Sequence, residues 1–336
     1  MRKLKFFLAG ALLAVCAAFG CGAPLPADAA ETEYYLGGMT AGFSLSANGV
    51  EIIAFKEIRT AGGSRCPASD AGMKTGDVIV AVDGLHTRTV EELGDALARA
   101  NGNASEFLVR RGKESLQFTL TPIRDDKDEK FKIGILIRDT LSGIGTVTYI
   151  EKKSGRFGAL GHAVCDENKN SFRLADACVY RCSIIGVTRG ERGRAGELRG
   201  FLLNDMPIAQ ADNVCGTGLY GTFESGYDFS ELQTVTAAPM SEATIGKAVI
   251  YSTIDGVEPK PYEIAIAKVD PGNRNNKNFV IKVTDDTLLR ETGGIVQGMS
   301  GSPIIQNGKM IGAVTHVFLN DPTRGYGIGI EKMLGN

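Results

Sequence analysis

Beyond residue 133 the chain is broken into short runs rich in Val, Ile and Thr, with no long segment of helical period between them. Ile133 to Ile137, Gly145 to Ile150, Lys247 to Ser252, Glu263 to Val269, Phe279 to Val283 and Ile311 to Val317 are each bounded by Gly, Pro, Asn or Asp. Such runs read as strands, and about two hundred residues of them predict a barrel or a pair of barrels. Glycine points the same way: it makes up 43 of the 336 residues, where an ordinary chain has roughly 7%. Without a G-X-Y period that excess implies many tight turns. At roughly 150 residues per domain the length implies about two domains, each able to bury a core.

The residues upstream have a different texture. Gly49 to Phe55 reads as a strand, Pro67 to Gly72 as a helical turn, Lys74-Thr75-Gly76-Asp77 as a turn and Val78 to Val82 as a strand, followed by a turn at Asp83-Gly84. Thr89 caps a helix in which Val90, Leu93 and Leu97 recur at helical spacing, with Glu92 three residues after the cap and Asn101-Gly102 at the end. Phe107 to Arg110 and Leu116 to Leu120, joined across Gly112, read as a hairpin. This order, with the Ala71 to Gly84 core, resembles a PDZ domain. The resemblance implies that an extended peptide is taken as an added strand and that a glycine-containing loop receives its terminal carboxylate. The loop expected for this is Gly37 to Phe43, with Gly42 and Phe43 as the peptide-binding residues; a plain turn is the alternative. His86 is expected to be an exposed surface residue. The charge-dense stretch Arg124 to Lys130 holds no apolar residue and reads as a linker. The expected boundaries are a PDZ domain at 31–124, a linker at 125–132 and a second domain at 133–336.

Residues 1–30 read as a signal peptide or membrane anchor. Arg2, Lys3 and Lys5 precede an apolar stretch from Phe6 to about Gly22, and Ala27-Asp28-Ala29 has the small residues a signal-peptidase site requires. Cleavage after Ala29, retention as an anchor and a lipoprotein at Cys21 are the three versions, and each places the rest of the chain across the cytoplasmic membrane. Charge nearly cancels, with 37 basic and 39 acidic residues, so a nucleic-acid partner has no support. Cys16 and Cys21 lie in the leader; Cys66, Cys165, Cys178, Cys182 and Cys215 remain, an odd number without a paired C-x2-C zinc signature. They read as free thiols or one or two disulfides, and neither a metal nor an organic cofactor is expected.

Chemistry concentrates near the C-terminus, in Gly298-Met299-Ser300-Gly301-Ser302-Pro303 preceded by Gly293-Gly294. A nucleophilic serine needs a sharp turn that exposes its oxygen while backbone amides converge on the developing oxyanion. Ser300 is the candidate nucleophile, with the amides of Gly298 and Ser300 as oxyanion donors; Ser302 lacks the preceding Gly-x frame. Of the three histidines, His162 sits in an aliphatic, glycine-flanked turn suited to a general base, whereas His316 lies inside an apolar strand. The order His162 then Ser300 fits double β-barrel serine proteases, where base and nucleophile come from different barrels. His316 comes where such proteases build the wall of the primary specificity pocket, and is expected either to line it and favour an acidic or polar substrate residue or to be a buried structural histidine.

A PDZ domain followed by F-G-A-L-G-H, V-T-D and G-G-I-V-Q-G-M-S-G-S-P-I-I-Q-N-G-K, with Asn320-Asp321-Pro322-Thr323 beyond, resembles the stage IV sporulation protein B family of S55-type serine peptidases. The resemblance implies a mainly β chain in which the PDZ domain precedes a chymotrypsin-like double β-barrel. It matches His162 to the family's histidine, Ser300 to its nucleophile and Asp285 to the aspartate completing a triad. Spacing alone does not prefer Asp285 to Asp286, Asp255 or Asp270, and a His162 oriented by a backbone carbonyl leaves Asp285 as a turn or cap residue. Function implied by the resemblance is an exported regulatory endopeptidase, between forespore and mother-cell membranes, that cuts itself and then a membrane-bound regulator of an intramembrane protease during sporulation. Its partners are that protein substrate and a PDZ peptide ligand, including a segment of its own chain. The alternatives are a non-catalytic PDZ scaffold with a spent protease domain, and a degradative high-temperature-requirement type of protease, which places its PDZ domain after the catalytic one.

Overall fold

The chain alternates short turns with strands long enough to serve two layers, as a computed structural model of residues 32–164 and 176–335 shows. The signal peptide or membrane anchor expected at residues 1–30, and Cys165, lie outside the described residues. Strand β1 (Glu33–Leu36) leads into β2 (Thr40–Phe55), whose sixteen residues span about 50 Å at ~3.3 Å per residue. Its second half packs in a small unit with helix α1 (Pro67–Asp70), strand β3 (Val78–Val82), helix α2 (Val90–Ala100) and the hairpin of β4 (Ser105–Arg111) and β5 (Glu114–Leu120). Helix α2 starts as its sequence predicts: the Glu92 amide donates to Thr89 Oγ1 and the Thr89 amide to the Glu92 carboxylate, while Asn101 closes the helix in the left-handed conformation. Its apolar stripe of Leu93, Ala96 and Leu97 covers Val50, Ile52, Ile79, Phe107 and Val109. Burying each large side chain of that set is worth about 1.5–3 kcal/mol.

Strand β6 (Ile135–Glu151) then runs back along almost the whole of β2. Its second half joins β7 (Arg156–Ala159), β8 (Asp176–Thr188), β9 (Glu197–Cys215) and β10 (Gly218–Phe223). The pairings β2 to β6, β6 to β7, β7 to β10, β10 to β9, β9 to β8 and β8 back to β2 close an antiparallel barrel. Phe43, Leu45, Val147, Ile150, Phe157, Val179 and Leu219 fill it. A second antiparallel barrel closes through β11 (Gly246–Ser252), β12 (Lys260–Val269), β13 (Phe279–Val283), β14 (Pro303–Gln306), β15 (Lys309–Phe318) and β16 (Asp321–Gly329), in the order 11-12-13-16-15-14. Its core includes Ile250, Ile264, Ile266, Phe279, Ile281 and Ile304. Closure leaves neither barrel with an open edge to mispair. Helix α3 (Asp286–Thr292) lies between β13 and β14, and α4 (Ile330–Leu334) ends the chain. The fold is mainly β, with the double barrel that the strand runs predict.

The expected boundary at 31–124 needs a correction. Residues 40–46 of β2 are barrel strand, paired to β6 on one side and β8 on the other, and β1 pairs with Tyr149 to Glu151 of β6. Only the second half of β2 belongs with α1 and α2. The charge-dense stretch is ordered as well: Phe131–Lys132 pairs with Ile123–Arg124, and Lys132 Nζ bridges the carboxylates of Asp125 and Asp128 at 2.7 and 2.6 Å. Alternating opposite charges satisfy one another here instead of keeping the segment in solvent.

Candidate active site

The Ser300 turn lies between α3 and β14, where glycines allow backbone that other residues resist. Gly293 ends α3 with φ +77°, and a Cβ on Gly294 would sit 2.1 Å from the Pro322 carbonyl oxygen. Pro322 also accepts from the Ile295 amide at 2.8 Å, so the Asn320 to Thr323 motif is the bed on which the Gly293-Gly294 turn rests. Gly298 and Gly301 both have φ +99°. A Cβ on Gly301 would stand 2.1 Å from the Thr146 carbonyl oxygen, so only glycine fits. Ser300 is half-buried, while Ser302 is fully buried with no hydrogen-bond partner for its hydroxyl among the described residues. Ser300 is therefore the accessible hydroxyl of the pair; its Oγ donates to the Thr315 carbonyl at 2.9 Å. Among the described residues the amides of Gly298 and Ser300 have no acceptor, whereas their neighbours Met299, Gly301 and Ser302 donate to Val296, Val314 and Met299. Two free amides flanking an accessible serine are what an oxyanion site requires.

His162 follows β7 after a turn in which Leu160 and Gly161 both take φ +71°. Left-handed backbone at a leucine is uncommon and is held here by the Leu160 amide donating to the Thr146 carbonyl at 3.1 Å. The His162 Nδ1 lies 2.8 Å from the Ala163 carbonyl oxygen. A carbonyl only accepts, so Nδ1 carries the proton and Nε2 is the free base. Burial pulls the His162 pKa below its ordinary value, while the Ala163 carbonyl acts weakly the other way. The His316 ring stands 5.1 Å from that of His162, centroid to centroid, at 42°. His316 is exposed rather than buried in its strand; partial desolvation of its ring, then the nearby His162 and Lys277, push it down to about 4, so both imidazoles are neutral at neutral pH. His162, Ser300, His316 and Gly298 share one cleft of about 620 Å³, walled by Phe43, Ile144, Leu160, Val296 and Val317.

Comparison with known proteins fits this geometry. A family model described as SpoIVB peptidase S55 matches residues 129–334, well over half of the 336-residue chain. The chain belongs to the SpoIVB peptidase S55 family. A PDZ-domain model matches residues 58–111. The chain is also 32% identical over 56 residues to "Serine protease HTRA1" of Xenopus tropicalis, a match covering 17% of this chain and 12% of that protein.

The S55 peptidase fold brings some of the expected residues together and separates others. His162, Ser300, Gly298 and His316 meet in the cleft; His86 is exposed at the far unit. Asp285 does not meet them. Its Oδ1 accepts from the Leu288 amide at 2.8 Å as the N-cap of α3, and its Oδ2 accepts from the Glu263 amide at 3.3 Å. It lines a separate cleft with Asp255, Tyr262 and Glu291 that shares no residue with the Ser300 cleft, and among the described residues no carboxylate lines the latter. Beside it the Tyr262 phenol is raised to about 12, by burial first and the Asp285 charge second. Gly42 and Phe43 are a second correction. They sit inside β2, paired to Ile144 and Gly143 on one edge and to Tyr180 and Val179 on the other, so no edge is open to a peptide there, and Phe43 belongs to the barrel core. Among the described residues no group of three or more His, Cys, Asp or Glu side chains converges as a metal site does, and Cys66, Cys178, Cys182 and Cys215 form no disulfide with one another.

Proposed function

We propose that this S55 peptidase is a serine endopeptidase that works with a Ser300–His162 pair. The carrying observation is the single cleft lined by an accessible Ser300, a neutral His162 and Gly298, with the amides of Gly298 and Ser300 free of acceptors among the described residues. Ser300 Oγ swings from the Thr315 carbonyl to donate to His162 Nε2 and attacks the scissile carbonyl. His162 takes the proton and returns it to the leaving amine, while the two amides hold the oxyanion. The Ala163 carbonyl keeps the His162 tautomer, the task an aspartate has in a triad. His316 lines the substrate side of the cleft and, being neutral, meets a polar substrate residue by hydrogen bonding rather than by charge.

The finer role rests on family membership and the leader: export across the cytoplasmic membrane, cleavage of its own N-terminal region, then of a membrane-associated regulator during sporulation. Its PDZ unit supports binding of an extended peptide, and the edge of β2 beside α2 is taken by the chain's own Ile135 to Arg138, with Asp139 Oδ2 accepting from the Val90 amide at the start of α2. A fluorophosphonate reagent tests the core of this reading: the full chain should label at Ser300 and shorten on standing, and Ser300→Ala should do neither. Equal behaviour of the two proteins favours a non-catalytic scaffold. Peptide-library cleavage by His316→Ala with unaltered preference would remove His316 from the pocket.

A further inference from the structure

The Ser300 loop and the His162 turn are both anchored on one residue that carries no chemistry itself. Thr146, fully buried on β6, uses three polar groups for this. Its hydroxyl donates to the Gly298 carbonyl at 2.8 Å, its amide donates to the Ser300 carbonyl at 3.0 Å, and its carbonyl accepts from the Leu160 amide at 3.1 Å, two residues before His162. The first bond matters most for the oxyanion site. The Gly298–Met299 peptide is held at both ends, by Thr146 Oγ1 on its oxygen and by the Val296 carbonyl on its N–H. A peptide gripped on both sides cannot flip, which fixes the backbone that carries the free amides before and after it, of Gly298 and Ser300. Thr148, two residues along the same face, donates instead to the Gly301 carbonyl at 2.8 Å, past the nucleophile and outside the peptide between the two amides.

The geometry points to Thr146 as a positioning residue that sets the oxyanion donors and ties the nucleophile loop to the base turn, an inference that rests on the Ser300–His162 reading above. Removing its hydroxyl leaves a buried Gly298 carbonyl without a donor and frees the loop to turn. Displacing groups around a reacting centre by about 1 Å costs on the order of a hundredfold in rate, and loss of one oxyanion donor costs about 10²–10³.

Kinetics of fluorophosphonate labelling on the full chain supply the test. In that reaction Ser300 Oγ attacks phosphorus, the P–F bond breaks, fluoride leaves and His162 takes the hydroxyl proton. Thr146→Val, which keeps the shape and strand preference, should lower kinact about 10–100-fold with KI within about twofold. Thr146→Ser should stay within about threefold of wild type, because its hydroxyl is retained. Thr148→Val is the comparator: it should lower Tm as much as Thr146→Val while keeping kinact within about threefold. Wild-type kinact in Thr146→Val, a change confined to KI, or an equal kinact loss in Thr148→Val would overturn the assignment. If Thr146→Val does not fold, Thr146→Ser decides: a natively folded Thr146→Ser with a large kinact loss overturns it. Failure of the wild type to label is a different result, because it removes the serine peptidase reading first.

Discussion

The Ser300 loop and the His162 turn line one cleft but are held in different ways. Around Ser300 the carbonyls of Gly298 and Ser300 both accept from buried Thr146, and the amides of Met299, Gly301 and Ser302 are all engaged. Around His162 the backbone bonds stay within the first barrel, from Gly161 to Ala159 and from Leu160 to Thr146 on the adjacent β6, and the ring is oriented by the carbonyl of its own neighbour. The oxyanion site is thus preorganised from across the barrel interface, while the base is set by a short turn. Transition-state stabilisation demands fixed dipoles, and a base only has to reach its proton, so the rigid half is where rigidity is worth most.

Breaking the rigid half should have the largest effect. Gly301→Val places a Cβ against the Thr146 carbonyl and asks a β-branched residue to hold φ +99°. Labelling of Ser300 should fall about a hundredfold or more. Hydrogen exchange should show the α2 amides still protected, because the core under α2 contains no residue of this loop. Loss of α2 protection would mean that the two regions fold as one unit.

The softer half is sharpened by pH. Burial disfavours the imidazolium of His162, so the labelling rate should rise through an inflection below about 6.5 and be on its plateau at neutral pH. Both histidines are depressed in the fold. The unfolded chain therefore binds more protons as pH drops below about 6.5, and their contribution to stability is full above that pH and lost as pH falls, that of His316 down to about 4. Tm measured against pH in wild type and His316→Ala should show a smaller acid loss in the variant. An inflection at or above 6.5 would mean that a carboxylate reaches His162 after all.

What the sequence made legible was whatever depends on neighbours along the chain. Val- and Ile-rich runs bounded by turn residues mark the barrel strands, Thr89 with Glu92 marks the start of α2, and glycines on both sides of Ser300 mark the loop. What stayed hidden depends on pairing across long separations. Gly145-Thr146-Val147-Thr148 alternates polar and apolar residues, which reads as a strand with one wet face; in the fold both threonines are buried and 152–153 residues from the loop they hold. Gly42-Phe43 reads as a loop because its two strand partners lie about a hundred residues downstream or more.

Asp285 is the smallest effect and the one that separates the two halves most cleanly. Its place in V-T-D suits a triad acid, yet both carboxylate oxygens are occupied by backbone amides of Leu288 and Glu263, and the cleft it lines is not the one holding His162. An N-cap lost to alanine costs about 1 kcal/mol, or a Tm lower by about 2–4 °C, with labelling of Ser300 unchanged within about threefold. A triad acid lost to a neutral residue costs about 10⁴ in rate with the fold intact. Asp285→Ala and Asp285→Asn should both fall in the first class, and Asp285→Asn should recover most of the stability, because asparagine caps helices nearly as well. Asp285→Asn labelling thousands of times slower than wild type would reverse the assignment and require the His162 turn to leave the Ala163 carbonyl for a carboxylate during catalysis.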